Sequence, residues 1–272
     1  MTTESVYKDA PLHEVSMAIH FTPISSLGTI GLVARCAALS EFWGGYAIKE
    51  MQKVPTRVEP ERLSSTGSPT LSINQGPIEI GCMLTSPDQS VVVSIQNNRF
   101  DIVWRKQDGE EYPRYVRLRS RLLEKFKEFC DAVPALGVLT PNVTQGGIQY
   151  INIVDDSNGH GHTYFKLFDL SDFQQYEGLA FQTSQRLSGS GEVGRLYLEV
   201  NTINVVSIAP NNDLVDERKL QLAITFRGQP RTNSLDGVMR LIDRGHEAII
   251  KTFYKSCSSI GLKQFGHEEV NV

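Results

Sequence analysis

No run of apolar residues in this chain approaches the roughly 18 that a membrane-crossing helix requires, so no membrane span is expected. The opening residues, Met1-Thr2-Thr3-Glu4-Ser5, carry neither a basic start nor an apolar stretch, and a secretory leader is not expected either. Cysteine is scarce. Cys36, Cys82, Cys130 and Cys257 lie far apart without a C-x-x-C, which argues against a disulfide framework or a thiolate zinc site. The expectation is reduced, mostly buried thiols in a cytoplasmic protein. Asn142-Val143-Thr144 matches a glycosylation acceptor, but that signal has no use without a secretory route.

The common catalytic signatures are missing as well. There is no phosphate-binding G-x-x-x-x-G-K-[ST], no G-x-G-x-x-G between a strand and a helix, no G-x-S-x-G elbow and no H-E-x-x-H. Gly189-Ser190-Gly191 falls between two strand patterns and reads as a turn, and His267-Glu268-Glu269 reads as a tail. No cofactor is expected, and a non-enzymatic role outweighs a catalytic one.

What is present is an ordinary globular balance: 272 residues, 40% hydrophobic and 21% charged, enough for one large domain or two closely packed halves. The formal net charge is −4, which argues against general coating of nucleic acid. The charge is unevenly spread. Between Arg99 and Lys127 there are nine Lys/Arg and five Asp/Glu, a local 9 − 5 = +4, so the remainder carries −8. Such asymmetry fits either an anionic partner or a solvated helix face whose arginines pair with Glu110, Glu111, Glu124 and Glu128.

The same stretch is the most legible part of the chain. Val91, Val93 and Ile95 alternate with Val92, Ser94 and Gln96; after Asn97-Asn98, Phe100, Ile102 and Trp104 alternate with Arg99, Asp101, Val103 and Arg105. Asparagine tolerates tight hairpin turns, so Ile95 should face Phe100, Val93 face Ile102, and Val91 face Trp104. A polar loop and Tyr112-Pro113-Arg114-Tyr115 lead into a helix carrying Tyr115, Leu118, Leu122, Phe126, Phe129 and Val133 at helical spacing. Arg114, Arg117 and Arg121 share another face of it.

Elsewhere, residues 1–10 read as a loose end. Val15, Met17, Ile19 and Phe21 alternate with polar or small residues in a first strand, and a helix over 27–43 closes at Gly44-Gly45. Residues 52–77 read as a long surface loop, followed by a strand over 78–85. In the second half strands are expected over 148–154, 163–168, 179–187, from Leu196 on with a bulge at Thr202-Ile203, and over 220–226. A short helical turn is expected at 171–175, a turn at 188–192 and a polar loop at 210–216. Ser234 should cap a last helix carrying Val238, Leu241, Ile242, Ile249, Phe253, Cys257 and Ile260. The fold class is therefore α+β: a twisted, mostly antiparallel sheet with long helices packed on one face. The order of elements fits two fused pseudo-repeats, over 11–137 and 138–266, packed intimately together.

Three candidate sites emerge. Arg99, Arg105, Arg114, Arg117, Arg119 and Arg121, with Tyr112 and Tyr115 as stacking rings, fit contacts to phosphates and bases. His160 and His162, two residues apart beside Asp155 and Asp156, fit a metal or a metal-dependent hydrolase, although a polar turn is the simpler reading. His13, His20 and His246 are conceivable bases, and His246 fits a satisfied half-buried position better. Asn152, in an apolar strand, fits a buried hydrogen-bond anchor or a residue facing a cleft.

Several stretches together resemble a sporadically distributed family of uncharacterised bacterial proteins of about 260 residues. They are Pro11-Leu12-His13-Glu14-Val15, Gln96-Asn97-Asn98-Arg99-Phe100 with Trp104-Arg105, Tyr112-Pro113-Arg114-Tyr115, Tyr150-Ile151-Asn152, and His246 with Phe253. The resemblance runs nearly end to end. Where the family carries glycine-leucine-arginine before the tyrosine-isoleucine-asparagine strand, this chain has Gly147-Ile148-Gln149. The resemblance implies a bacterial, cytoplasmic accessory protein, and the family's patchy distribution implies a defence or toxin–antitoxin setting. It carries no catalytic residues over. The expected function is binding through a protein partner, with homo-oligomerisation open and nucleic-acid binding as the alternative.

Overall fold

The structure, a computed structural model, describes residues 3–7, 9–52, 80–107, 111–132, 134–166, 178–189, 192–208 and 214–271. It is a mixed α+β fold built on one open antiparallel sheet of nine strands. The strands are β2 (Leu12–Phe21), β3 (Ala47–Gln52), β4 (Ile80–Thr85), β5 (Val91–Gln96), β6 (Arg99–Arg105), β7 (Val143–Asp155), β8 (Ala180–Gly189), β9 (Glu192–Ile208) and β10 (Leu214–Gln229). Their order across the sheet is β3-β4-β5-β6-β2-β7-β10-β9-β8. The first strand of each half therefore pairs with the last strand of that half, and the halves meet where β2 pairs with β7. A separate two-stranded ribbon joins β1 (Thr3–Tyr7) to β11 (His267–Asn271).

The central hairpin has the register its alternation predicts: Ile95 pairs with Phe100, Val93 with Ile102 and Val91 with Trp104, and all six are buried. The pairing shifts register in β2 between Leu12 and Glu14. This lets both Leu12 and Val15 turn inward although they are three residues apart.

Among the described residues four helices accompany the sheet: α1 (Thr29–Phe42), α2 (Tyr115–Asp131), α3 (Leu235–Ser256) and the short α4 (Ser259–Gln264). Helix α2 buries Leu118, Leu122, Phe126 and Phe129, and its two phenylalanines lie 5.4 and 5.3 Å from the Phe100 ring. Each such side chain removed from water contributes about 1.5–3 kcal/mol. Helix α3 starts at Ser234, whose hydroxyl accepts from the Gly237 N–H. It approaches the sheet where side chains are missing: a Cβ on Gly146 would fall 2.5 Å from Val238, and one on Gly245 would fall 2.3 Å from Phe226. Helix α1 ends at Gly44 and Gly45, both at positive φ, as the glycine pair predicts.

Several expectations need correction. Residues 3–7 are not a loose end and His267-Glu268-Glu269 is not a tail, because each supplies one strand of the ribbon. Tyr7 packs edge-on against Phe253 at 5.3 Å. Strand β3 was not foreseen. The bulge at Thr202-Ile203 is absent: Thr202 pairs with Leu220 and Ile203 with Lys219 without interruption. The alternation lapses there because the strand runs on into exposed positions at 204–206, where neither face has to be apolar. Between Gly161 and Tyr164 the chain forms a tight helical turn in place of a strand, and Phe165 makes a single bridge to Cys257. Cys257 has left α3 with extended backbone, and Ile260 is exposed. The expected loops at 52–77 and 210–216 are trimmed, because Gln52 belongs to β3 and β10 begins at Leu214; the rest of both loops, the turn at 171–175 and the tip of the turn at 190–191 lie outside the described residues.

Candidate functional site

Trp104, Tyr112, Tyr115, Tyr150 and His246, far apart in sequence, converge in space. The segment before α2, the first turn of α2, the middle of β7 and the middle of α3 meet at one cluster of rings. Trp104 packs on Tyr112 at 5.1 Å, and the Tyr112 and Tyr150 hydroxyls are 3.1 Å apart. The Tyr150 hydroxyl lies 2.9 Å from His246 Nδ1. Tyr115 stacks on His246 and donates its hydroxyl to Asp243 at 2.6 Å. Arg119 donates to both oxygens of the same carboxylate, at 2.5 and 2.9 Å. Arg114, at the head of α2, has φ 66, a conformation that non-glycine residues rarely adopt.

Burial sets the electrostatics of this cluster. It lowers the His246 pKa to about 4, with Asp243 opposing. It pushes Tyr112 up to about 12 and raises Tyr115 and Tyr150 as well, with the Asp243 carboxylate adding to the rise at Tyr115. At neutral pH the cluster is therefore a neutral imidazole among protonated phenols, closed by one ion pair. That arrangement locks α2, α3 and β7 together.

The six candidate arginines do not share a surface. Arg99 and Arg105 belong to β6, where Arg99 pairs with Asp101 at 2.7 Å and Arg105 with Glu14 at 2.8 Å. Arg119 is committed to Asp243. Arg114, Arg117 and Arg121 are exposed along α2. Tyr112 and Tyr115 are half-buried within the ring cluster.

In the 155–162 loop the rings of His160 and His162 are 6.4 Å apart, and His162 Nδ1 lies 3.1 Å from the Gly159 carbonyl. Asp155 accepts from Ser157 and Lys219. Asp156 is buried, accepting from the Gly161 N–H at 2.7 Å and pairing with Arg218 at 2.9 Å. Among the described residues no three His, Cys, Asp or Glu side chains are grouped so as to hold a metal ion. The histidines sit on a loop anchored by Asp156.

His20 is buried on β2, and burial together with the charges of Arg99 and Arg227 lowers its pKa to about 3. His13 is exposed. Asn152 is buried and donates to the Leu222 carbonyl across the β7–β10 pair, as an anchor would. The four cysteines are buried and form no disulfide, and burial pushes Cys130 and Cys257 up to about 12, which keeps both as thiols. An open cleft of about 290 Å³ lies between α2 and the head of α3, bordered by Lys127, Asp131, Pro141 and Leu235. No helix among the described residues is long and apolar enough to cross a membrane.

Two residues with clear structural roles were missed in the sequence. Asp243 closes the ring cluster, but its partners lie more than a hundred positions away and nothing local marks it. Arg35 is buried in α1 and donates to the carbonyls of Phe129, in the last turn of α2, and of Leu136 and Gly137 beyond its end. Its position between Leu32 and Leu39, in phase with the buried side of α1, was a readable sign of a buried cation.

No protein-family model matches the chain, and no curated protein matches it in sequence. The fold and site thus define an α+β protein with a nine-stranded antiparallel sheet and a closed aromatic cluster between its helices.

Proposed function

We propose that this protein is a cytoplasmic, non-enzymatic binding module that works through a protein partner seated on α1. One observation carries the reading. Helices α2 and α3 turn apolar stripes inward, whereas α1 is apolar on its outer side too. Ile30, Val33, Ala34 and Ala37 recur at helical spacing and are all exposed, Ile30 by 87% and Val33 by 47%. Phe42, at the end of the helix, and Ile48, on β3, are also exposed. Isolated exposed apolar residues are ordinary on protein surfaces, but a spaced stripe on one helix is the pattern of a docking face. Strand β3 has one neighbour among the described residues, β4, and continues the same end of the sheet. The two halves, with matching strand order and a long helix after the last strand of each, are read as related repeats whose long helices share one face of the sheet. In that arrangement α1 is the extra helix of the first half, which suits a dedicated docking role.

The test compares the tagged protein with an Ile30→Glu/Val33→Glu variant. Both are captured from the host after nuclease treatment and measured by sedimentation. A partner held in fixed ratio, or self-association, that the variant loses while its melting temperature is kept supports the reading. A monomer that captures nothing, or a partner the variant still holds, overturns it.

A further inference from the structure

The face of the sheet that carries Ser16, Ala18 and His20 can be followed outward through the strand pairing. One row of directly paired residues runs Ser94, Asp101, Ala18, Gly147, Arg227, Arg195, Arg186, from β5 to β8. Directly paired residues share a face, so three arginines stand side by side on three neighbouring strands, spaced by about 5 Å per strand. The adjacent row runs Ser16, Gln149, Thr225, Tyr197, Ser184 and is polar except for one ring. The Arg227 guanidinium lies over that ring, 5.0 Å from its centroid, and Arg195 donates to Ser184 at 3.3 Å. Gly147 leaves room for this arrangement: the Arg227 stem lies 3.6 Å from where its Cβ would be. Glu199, two positions beyond Tyr197 on β9, accepts from Gln182.

Toward β5 the same face is polar and incompletely paired. Gln96 is fully buried with neither amide atom hydrogen-bonded, and buried His20 has Nδ1 unbonded. Native interiors rarely leave such groups open, and where they do, a ligand or water commonly completes them.

We propose that this face binds single-stranded nucleic acid, with Arg186, Arg195 and Arg227 taking successive backbone phosphates and Tyr197 stacking on a base. The planar forks of arginine match phosphate oxygens, and a line of them suits a chain of charges better than one isolated ion. The β8–β9 end of this face, where Arg186 is exposed and Arg195, Tyr197 and Arg227 are half-buried, cannot enter a duplex groove as a helix does, but it can support splayed bases on an aromatic ring. The negative chain charge confines such binding to this local row. The α2 arginines belong to a different surface and serve as the control.

The experiment is fluorescence polarisation of labelled single-stranded RNA and DNA oligonucleotides, with a duplex of the same sequence, over a salt series. The parent should bind single strands with an affinity that falls linearly on log–log axes. Arg186→Ser, at an exposed edge-strand position, should lower that slope by about 0.7 while leaving the melting temperature unchanged. Arg186→Glu/Arg195→Glu should abolish binding, and Tyr197→Leu should weaken it without changing the slope. Arg117→Glu/Arg121→Glu on α2 should bind as the parent does. Absence of parent binding at low salt, preference for the duplex, or loss of binding in the α2 variant with Arg186→Ser unaffected would each overturn the proposal.

Discussion

Tyr115 and His246 lie face to face, with ring centroids 3.8 Å apart and planes within 6° of parallel. One ring opens α2 and the other stands mid-way along α3, so the stack fixes how the two helices meet. It works together with the Tyr115 hydroxyl bond to Asp243 and the Tyr150 hydroxyl beside His246 Nδ1. A neutral imidazole suits this setting, because protonation would place a charge in a poorly solvated stack.

That makes the cluster acid-sensitive. Burial lowers His246 from its ordinary 6.5 to about 4, and His20 to about 3. The unfolded chain therefore holds these protons at pH values where the folded chain has released them. Stability is fully present above about pH 6.5 and is lost as the pH falls toward 4, and further toward 3 for His20. Urea unfolding near pH 7.5 and pH 4.5 should show a drop in the parent that is smaller in His246→Gln by about 1–2 kcal/mol. An equal drop in both proteins would show that His246 is not the group responsible.

Arg119 and Asp243 form a two-pronged ion pair that is partly exposed, with side-chain accessibilities of 29% and 36%. Solvent screening limits such a pair to about 1 kcal/mol, and its geometry favours the upper end of the usual range. Asp243→Ala also strips the acceptor from the Tyr115 hydroxyl, so it should cost more than Arg119→Ala. A double-mutant cycle should give a coupling of about 0.5–1 kcal/mol that shrinks in high salt. A coupling of zero at low salt would mean that Tyr115 alone uses the carboxylate.

Alternation made the central hairpin legible down to its residue pairs, because the six apolar side chains fall on one face and a slip of one strand by one residue would turn its apolar set to the other, polar face. Helices α2 and α3 were legible for the same reason. Strand β1 was not: Thr3–Tyr7 pairs with a segment at the other end of the chain, and its stability lies in that distant partner. The Arg99–Arg121 charge run was visible as a run, yet the sequence could not show that β6 and α2 turn its members to different surroundings. The ring cluster was half-legible. Tyr112, Tyr115, Tyr150 and His246 were each noticed, but their meeting depends on helix packing that no local spacing encodes.

Arg35 gives a sharper test of a buried charge. Its guanidinium donates to Phe129 at 2.7 Å and to Leu136 at 3.2 Å, and also to Gly137, closing carbonyls at the end of α2. Arg35→Met keeps much of the apolar stem but leaves those acceptors buried without donors. The expected loss is about 3 kcal/mol, read as a shift in the denaturant midpoint with an unchanged slope. Arg35→Lys should recover only part of it, since one ammonium cannot reach carbonyls on both sides of the turn. A Met variant as stable as the parent would show that water replaces the guanidinium there.

Gly146 and Gly147 are adjacent, but β7 turns them to opposite faces, so substitution separates two demands made by one dipeptide. On the apolar side, a Cβ at Gly146 would sit 2.5 Å from Val238 and 3.3 Å from Ile242, side chains of α3 that are themselves fully buried. Neither can withdraw without moving the helix, so Gly146→Ala should cost about 1–3 kcal/mol. On the polar side, a Cβ at Gly147 would meet the Phe226 carbonyl at 3.3 Å and the Arg227 stem at 3.6 Å, and the stem can shift. Gly147→Ala should therefore cost less than Gly146→Ala. The comparison is made by urea unfolding, and Val238→Ala in the Gly146→Ala background should restore part of the loss. If the two glycine variants are equally destabilised, backbone freedom in β7, and not the approach of α3, is what the pair supplies.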